Sequence, residues 1–237
     1  MGSKFYQADE HRAEKVHELF ATIARRYDLL NDIMSVGLHR RWKRRLVELA
    51  GKPRDVLDLC CGTGDIALRF RARVVGVDFT EEMLRVAAAR GHSEISWIRA
   101  DALRLPFSDN SFDTVSVGYG LRNLADIEQG LREILRVLRP GGKFVSLDFG
   151  KPESPTFRAL YFGYLRVVLP ILGRLFCGDP DTHAYILASL QNYPAQRGIK
   201  ESMESQGWRD CGFEEFWLGS MAINYGSKPG NYATESR

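Results

Sequence analysis

The chain has 237 residues, enough for one large α/β domain or two small ones. Its 33 basic and 30 acidic residues are mixed along the sequence and leave a net charge of only +3, so charge alone gives no reason to expect a nucleic-acid partner. Cys60, Cys61, Cys177 and Cys211 form no C-x-x-C and have no zinc-like spacing with histidine, which speaks against a metal site. The stretch from Lys4 to Arg26 is charged throughout and holds no secretory apolar core, so the expectation is a cytoplasmic protein with reduced thiols.

Val16, Leu19, Phe20 and Ile23 fall on one helical face, which predicts an amphipathic helix over Asp9 to Arg26. Two more helices are expected, over Tyr27 to Ser35 and from about His39, giving an N-terminal helical cap over residues 1–52. Tyr27, Asn31, His39 and Trp42 lend that cap a polar-aromatic mix unusual for plain core. Val56 to Leu59 is a short apolar strand running into Cys60-Cys61-Gly62-Thr63-Gly64-Asp65, with a helix expected from Ile66 to Phe70. Glycines in such a turn let backbone approach a ligand closely. The spacing is Gly-Thr-Gly, short of the full G-x-G-x-x-G. Val74 to Asp78 is a second strand ending in an acid, and a carboxylate there can accept hydrogen bonds from two ribose hydroxyls. Asp58 and Asp65 around the loop would repel a pyrophosphate and attract an ammonium. S-adenosylmethionine has the ribose and the ammonium; NAD has the ribose and a pyrophosphate.

Thr80 is placed to cap a helix running to about Arg90, with Glu81 and Glu82 in its first turn. Ile95 to Ala100 alternates as a strand and delivers Asp101 and Ala102 to the carboxyl edge, where parallel sheets bind ligands. A turn at Ser108-Asp109-Asn110 leads to a fourth strand, Phe112 to Gly118, which opens into Tyr119-Gly120-Leu121-Arg122-Asn123. An amphipathic helix over Ile127 to Leu138 and a fifth strand over Lys143 to Phe149 follow. This alternation predicts right-handed crossovers and a doubly wound parallel sheet over residues 53–150. Phe157 to Phe176 is almost continuously apolar, but Arg158, Arg166, Arg174 and Pro170 speak against a membrane span. It reads as a lid or core helix, or as an interfacial segment with its arginines at lipid headgroups. Gly163, Pro170 and Gly173 weaken any long helix there. Helices over Asp179 to Asn192 and Ala195 to Gln206 complete a helical insertion over 151–210. Strands over Glu214 to Leu218 and Ala222 to Lys228 close the sheet within 211–230, and 231–237 should fray.

The motif from Asp58 to Asp65 within this five-strand run resembles the class I S-adenosylmethionine-dependent methyltransferases. Other blocks are more specific. Tyr27 to Ser35, His39-Arg40-Arg41-Trp42-Lys43, Gly120-Leu121-Arg122-Asn123 and Arg136-Val137-Leu138-Arg139-Pro140-Gly141-Gly142 resemble the ubiquinone/menaquinone biosynthesis C-methyltransferases (UbiE/MenG). That likeness runs from about Val16 to Lys228. It implies a Rossmann-like α/β fold with a seven-stranded, mostly parallel sheet, its last strand antiparallel, and helices on both faces. It implies S-adenosylmethionine contacts at Thr63, Asp78, Asp101 and Ala102, beside Asp58, Gly62 and Gly64 of the loop. The family often has serine where this chain has Gly118, so only backbone could serve there. The pair Cys60-Cys61 matches a pattern of the menaquinone-only branch.

The resemblance implies methylation of a ring carbon of demethylmenaquinol, a lipid-tailed quinol, with a ubiquinone-precursor benzoquinol as the alternative. A reduced quinol supplies electron density at the ortho carbon once a hydroxyl loses its proton; the quinone does not. The sulfonium already provides the leaving group, so no metal is needed. Arginine stays protonated at neutral pH and cannot itself be the base. A water held by arginine, asparagine and tyrosine is the base proposed in the family, which maps onto Arg122, Asn123 and Tyr27. His39 is a second candidate base, and with Tyr119 a candidate substrate contact. Asp65 either caps the helix after the loop or reaches the methionine ammonium. Cys60 and Cys61 read as small residues for a crowded strand end. The lipid tail leads to an expected peripheral contact with the inner face of the plasma membrane, through a groove formed by Phe157 to Phe176 and the N-terminal helices; a homo-oligomer is left open. Two other classes compete: a nicotinamide-dependent oxidoreductase, disfavoured by the acidic loop and missing third glycine, and a non-catalytic scaffold for quinone synthesis, disfavoured by Asp78 and the Arg122-Asn123 pair.

Overall fold

The computed structural model describes residues 32, 35, 37–177 and 181–230, the side chains of 169, 172, 175–177 and 181–186 excepted. The helix expected over Asp9 to Arg26, residues Tyr27 and Asn31, and the tail 231–237 lie outside the described residues. In chain order the elements are α1 (His39–Ala50), β1 (Asp55–Leu59), β2 (Arg73–Asp78), α2 (Glu81–Ala88), β3 (Ser96–Arg99), β4 (Phe112–Gly118), α3 (Ile127–Val137), β5 (Leu138–Phe149), α4 (Pro155–Cys177), α5 (Asp181–Asn192), α6 (Ala195–Ser205), β6 (Arg209–Phe216) and β7 (Met221–Ser227).

The strands form one seven-stranded sheet in the order β3-β2-β1-β4-β5-β7-β6. β1 to β5 pair in parallel, and β7 runs antiparallel to both β5 and β6. Val56, Leu57 and Leu59 in β1 and Val115 and Val117 in β4 are buried because both sheet faces are covered, as apolar central strands require. One face packs on α3 to α6 through Leu131, Ile134, Leu165, Leu190, Ile199 and Met203. The other packs on α1 through Trp42 and Leu46, together with Ile66 and Phe70. Strand order reverses at β1, which β2 flanks on one side and β4 on the other, so the ligand crevice opens at their carboxyl ends.

Four elements depart from expectation. No α-helix follows the glycine turn; only a 3-10 turn forms at Ala67–Arg69, because β2 begins at Arg73 and the intervening chain is too short for several α-turns. β5 begins at Leu138, straight after α3, with its pairing to β4 shifted between Phe112 and Thr114. β6 begins at Arg209 and stops at Phe216; Trp217 and Leu218 instead take left-handed backbone, φ 50° and 55°, in the turn to β7. α4 continues through Gly163 and Pro170 for 23 residues and packs along α5. Among the described residues no helix is long and apolar enough to cross a membrane.

Candidate active site

At the carboxyl ends of β1 to β4 lies a cavity of about 190 Å³. Gly62, Asp78, Asp101, Ala102, Gly118, Tyr119 and Asn123 all contribute to its wall, with Met83 and Leu103 adding apolar surface. The Asp78 carboxylate is the anchor of the loop: one oxygen accepts from Gly62 N at 2.8 Å and the other from Thr80 N at 2.8 Å. Burial pushes its carboxyl above the usual range, and the surrounding backbone donors pull it back down. Gly62 holds φ +54°, and a Cβ there would meet nothing within 4 Å, so the loop leaves open space beside Asp78. Asp101 accepts from Leu103 N at 2.9 Å. Asn123 Oδ1 is buried without a hydrogen-bond partner among the described residues.

This donor set fits the methyl donor. Asp78, Asp101 and Asn123 Oδ1 are acceptors for ribose hydroxyls and an N–H group, and among the described residues no cation lines the cavity to receive a pyrophosphate.

Three sequence-predicted cofactor residues do not face that space. Asp58 is buried at 1% exposure and spans the strands instead: Ser116 Oγ donates to it at 2.6 Å and Ala67 N at 2.9 Å. It, and not Asp65, thus satisfies the start of the 3-10 turn. Burial pushes the Asp58 carboxyl up to about 7. Gly64 is required by packing: at φ +79°, a Cβ would stand 2.5 Å from the Trp97 ring. Thr63 is buried behind the loop, where its carbonyl accepts from Arg90. Asp65 neither caps a helix nor lines the cavity. It pairs with Lys43 Nζ of α1 at 2.7 Å, with Arg69 at 3.1 Å and with Arg90 at 3.9 Å. Cys60 and Cys61 fit a crowded strand end: a Cβ on Gly120 would stand 2.4 Å from Cys60 Cβ, and one on Gly76 would stand 3.2 Å from Cys61 Sγ. Burial raises both thiols well above their ordinary range, so they stay neutral.

The candidate catalytic residues separate. Asn123 lines the cavity, whereas Arg122 is buried behind it. Arg122 Nη1 donates to Asp148 Oδ1 at 2.6 Å and to the Tyr119 carbonyl at 2.8 Å, and the guanidinium lies over Phe149 with 4.9 Å to the ring centroid. Asp148 was missed in the sequence because an acid inside a fifth strand carries no motif. His39 is buried at the start of α1, its Nδ1 2.8 Å from Ser35 Oγ, and does not reach the cavity. Burial and the Lys43 charge hold its imidazole below the ordinary histidine range. Tyr27 lies outside the described residues.

A second cavity, of about 350 Å³, adjoins the first. Tyr119, Phe149, Tyr161, Tyr164, Trp42 and Trp217 line it, with Leu160, Leu165 and Val168 of α4. Tyr161 donates to the Ser220 carbonyl at 3.2 Å, and burial raises its phenol well above the ordinary range. Tyr119 belongs to both walls. It adopts φ +60°, a conformation that costs a residue with a Cβ about 1–2 kcal/mol.

The switch-point crevice and its acceptor-lined cavity define a class I S-adenosylmethionine-dependent methyltransferase. Solved structures share the fold at low identity. A SAM-dependent methyltransferase of Thermotoga maritima superposes with TM-score 0.65 at 18% identity, over 89% of this chain and 99% of that one. The [4+2]-cyclase SpnF does so with TM-score 0.59 at 18% identity, over 92% and 97%. The model of the ubiE/COQ5 methyltransferase family matches residues 8–228, and the chain belongs to that family. Over 234 residues it is 38% identical to the ubiquinone/menaquinone biosynthesis C-methyltransferase UbiE of Ectopseudomonas mendocina, covering 93% of this chain and 91% of that protein. Over 221 residues it is 41% identical to the demethylmenaquinone methyltransferase of Thermus thermophilus, covering 89% of this chain and 100% of that protein.

Proposed function

We propose that this C-methyltransferase of quinone biosynthesis methylates a ring carbon of reduced demethylmenaquinol. One observation carries the reading: an acceptor-lined cavity and an aromatic, apolar cavity meet at Tyr119. The first suits a nucleoside with an amine; the second suits a flat bicyclic ring with a hydrocarbon tail. The 41% identity to a demethylmenaquinone methyltransferase of matched length supports the naphthoquinol over the benzoquinol.

S-adenosylmethionine, when bound, supplies an activated methyl on a sulfonium. The part these residues play is orientation. Asp78 accepts from the ribose hydroxyls, Asp101 stands beside the base, and Asn123 offers its free oxygen to an N–H donor. Phe149, Tyr161 and Tyr164 wall the ring and keep water from it. Tyr161 stays protonated, its hydroxyl hydrogen given to the Ser220 carbonyl and its oxygen left to accept. Arg122 is committed to Asp148 and the Tyr119 carbonyl, so it acts by holding the site in shape.

The tail must reach the enzyme from a bilayer. Leu160, Tyr164, Val167 and Ile171 of α4 stand exposed beside the apolar cavity, as do Trp217 and Leu218 of the β6–β7 turn. α4 has Arg158, Arg166 and Arg174 and no acid, which suits anionic headgroups. The proposed setting is the cytoplasm, with α4 resting on the inner face of the plasma membrane.

The test is single-turnover transfer of labelled methyl from S-adenosylmethionine to demethylmenaquinol, beside a benzoquinol precursor, both kept reduced. Label on the naphthoquinol alone is expected. Label on the benzoquinol alone overturns the substrate assignment, and label on both makes the enzyme serve two pathways.

A further inference from the structure

We infer that Tyr119 is the partition between the two cavities, held in place through its carbonyl by Arg122 and by the amide nitrogen of Asn123. The inference rests on the reading that one cavity holds the methyl donor and the other the quinol.

The chain from Gly118 to Gly120 crosses the carboxyl edge of the sheet at the junction of both cavities. Gly118 and Gly120 carry no side chain, so Tyr119 is the one side chain this ledge presents. Glycine tolerates a positive φ and stands on either side, yet the left-handed residue is the tyrosine, at φ +60°. A strained conformation persists only where its surroundings over-determine it. Here they do. Tyr119 N donates to Leu147 O of β5 at 2.7 Å. Its carbonyl accepts from Arg122 Nη1 at 2.8 Å and from Asn123 Nδ2 at 3.3 Å. Its ring leans on Phe149, centroids 5.8 Å apart, and Lys43 Nζ sits 5.9 Å from its centroid. Arg122 is itself fixed by Asp148. The arginine and asparagine of the Leu-Arg-Asn block thus converge on one carbonyl, whose residue walls both cavities. The arrangement sets how far the ring of one ligand can advance toward the other, which is a demand of in-line methyl transfer.

The experiment uses the full chain and two variants, Tyr119→Gly and Tyr119→Phe. The first readout needs no turnover. 1-Anilinonaphthalene-8-sulfonate fluorescence probes the apolar cavity, with and without saturating S-adenosylhomocysteine. In the wild type and in Tyr119→Phe the probe's Kd should change less than twofold when S-adenosylhomocysteine is added. In Tyr119→Gly the partition is gone, and the two should compete, raising the probe's Kd at least fivefold. The second readout is kcat with demethylmenaquinol: at least tenfold lower in Tyr119→Gly, within threefold of wild type in Tyr119→Phe. Thermal unfolding separates this from a structural role, because glycine relieves the backbone strain and Tm should not fall by more than about 2 °C. Independent binding of probe and S-adenosylhomocysteine in Tyr119→Gly overturns the partition. Equal impairment of the glycine and phenylalanine variants overturns it in favour of hydroxyl chemistry. Activity loss that tracks a lowered Tm overturns it in favour of plain structure. A wild type that labels no quinol refutes the proposed substrate instead, and the probe competition still decides the partition.

Discussion

Replacing Asp65 with asparagine should cost more stability than replacing its partner Lys43 with methionine. The Lys43 side chain is 5% exposed and reaches Asp65 at 2.7 Å, whereas Asp65 is 18% exposed and also meets Arg69 and Arg90. Asp65→Asn leaves a buried ammonium without its counter-charge, and breaking a buried pair this way costs about 3–5 kcal/mol. For a chain of this length each kcal/mol moves Tm by roughly 2–4 °C, so the drop should be about 6–20 °C. Lys43→Met leaves Asp65 with two arginines and removes the buried cation, so its cost should stay below about 2 kcal/mol. Burial alone would raise the Asp65 carboxyl, but Lys43, Arg69 and Arg90 outweigh it and hold it below the usual range. A lowered carboxyl contributes stability above its unfolded pKa and loses it on acidification, so the gap between wild type and Asp65→Asn should close as pH falls below about 3.8. The assay is thermal unfolding followed by circular dichroism at several pH values, with S-adenosylhomocysteine affinity measured by calorimetry at 20 °C. A Lys43→Met variant that melts at or below Asp65→Asn refutes the charge accounting. A tenfold loss of S-adenosylhomocysteine affinity in folded Asp65→Asn would return Asp65 to the methionine ammonium.

Asp78→Asn should weaken S-adenosylhomocysteine binding roughly 10–150-fold, the equivalent of about 1.5–3 kcal/mol for charged hydrogen bonds lost; a change under threefold by calorimetry would remove Asp78 from the ribose. Because burial raises the Asp78 carboxyl, wild-type affinity should fall on acidification at a higher pH than an ordinary carboxylate would give. Asp58 stays protonated in the fold up to about pH 7 while the unfolded chain ionises near 3.8, so the unfolded state binds fewer protons between them and stability falls as pH rises. Urea unfolding between pH 5 and 8 should therefore show about 3 kcal/mol more stability lost by the wild type than by Asp58→Asn. Leu160 and Val167 are 67% and 61% exposed. Leu160→Asp with Val167→Asp should therefore leave Tm nearly unchanged, yet lower turnover of quinol embedded in anionic vesicles at least fivefold; equal turnover would dismiss α4 as the membrane face.

The sheet was legible because its central strands are apolar runs bounded by turn residues, and such runs admit few alternatives. Phe112 to Gly118 was read at its observed bounds. The placement of Asp78, Asp101 and Gly62 on the cavity wall was legible for a related reason: topology alone puts strand ends at the crevice. Asp58 does not line the cavity, and sequence cannot say on which side of a turn a carboxylate points. Only the observed pairing shows that Ser116 and Ala67 N claim it. The helix after the glycine turn was misjudged because Ile66 to Phe70 has apolar content without the length to make α-turns before β2. Asp148 left no local signal, and the block that holds Lys43 does not say what the lysine meets. Their meaning lies in partners 22 and 26 positions away, Asp65 and Arg122.

The apolar cavity was legible in part, through the groove expected between Phe157 to Phe176 and the N-terminal helices, and its construction explains why the rest was not. Its walls come from α1, α4, the β6–β7 turn and the strand ends that carry Tyr119 and Phe149, brought together by tertiary contacts. Arg45 of α1 donates to Glu214 of β6 at 2.9 and 2.6 Å across 169 positions. Trp42 then meets Phe216 at 6.2 Å and, edge-on, Trp217 at 6.1 Å between ring centroids. The cofactor edge, by contrast, is built from consecutive strand ends whose placement the sheet itself enforces. Substitutions in the cavity can therefore change what is bound without disturbing Asp78 or Gly62. Variants at Phe149, Tyr161 and Trp217, which line the apolar cavity and not the acceptor-lined one, should alter which quinol is methylated before they alter the affinity for S-adenosylmethionine.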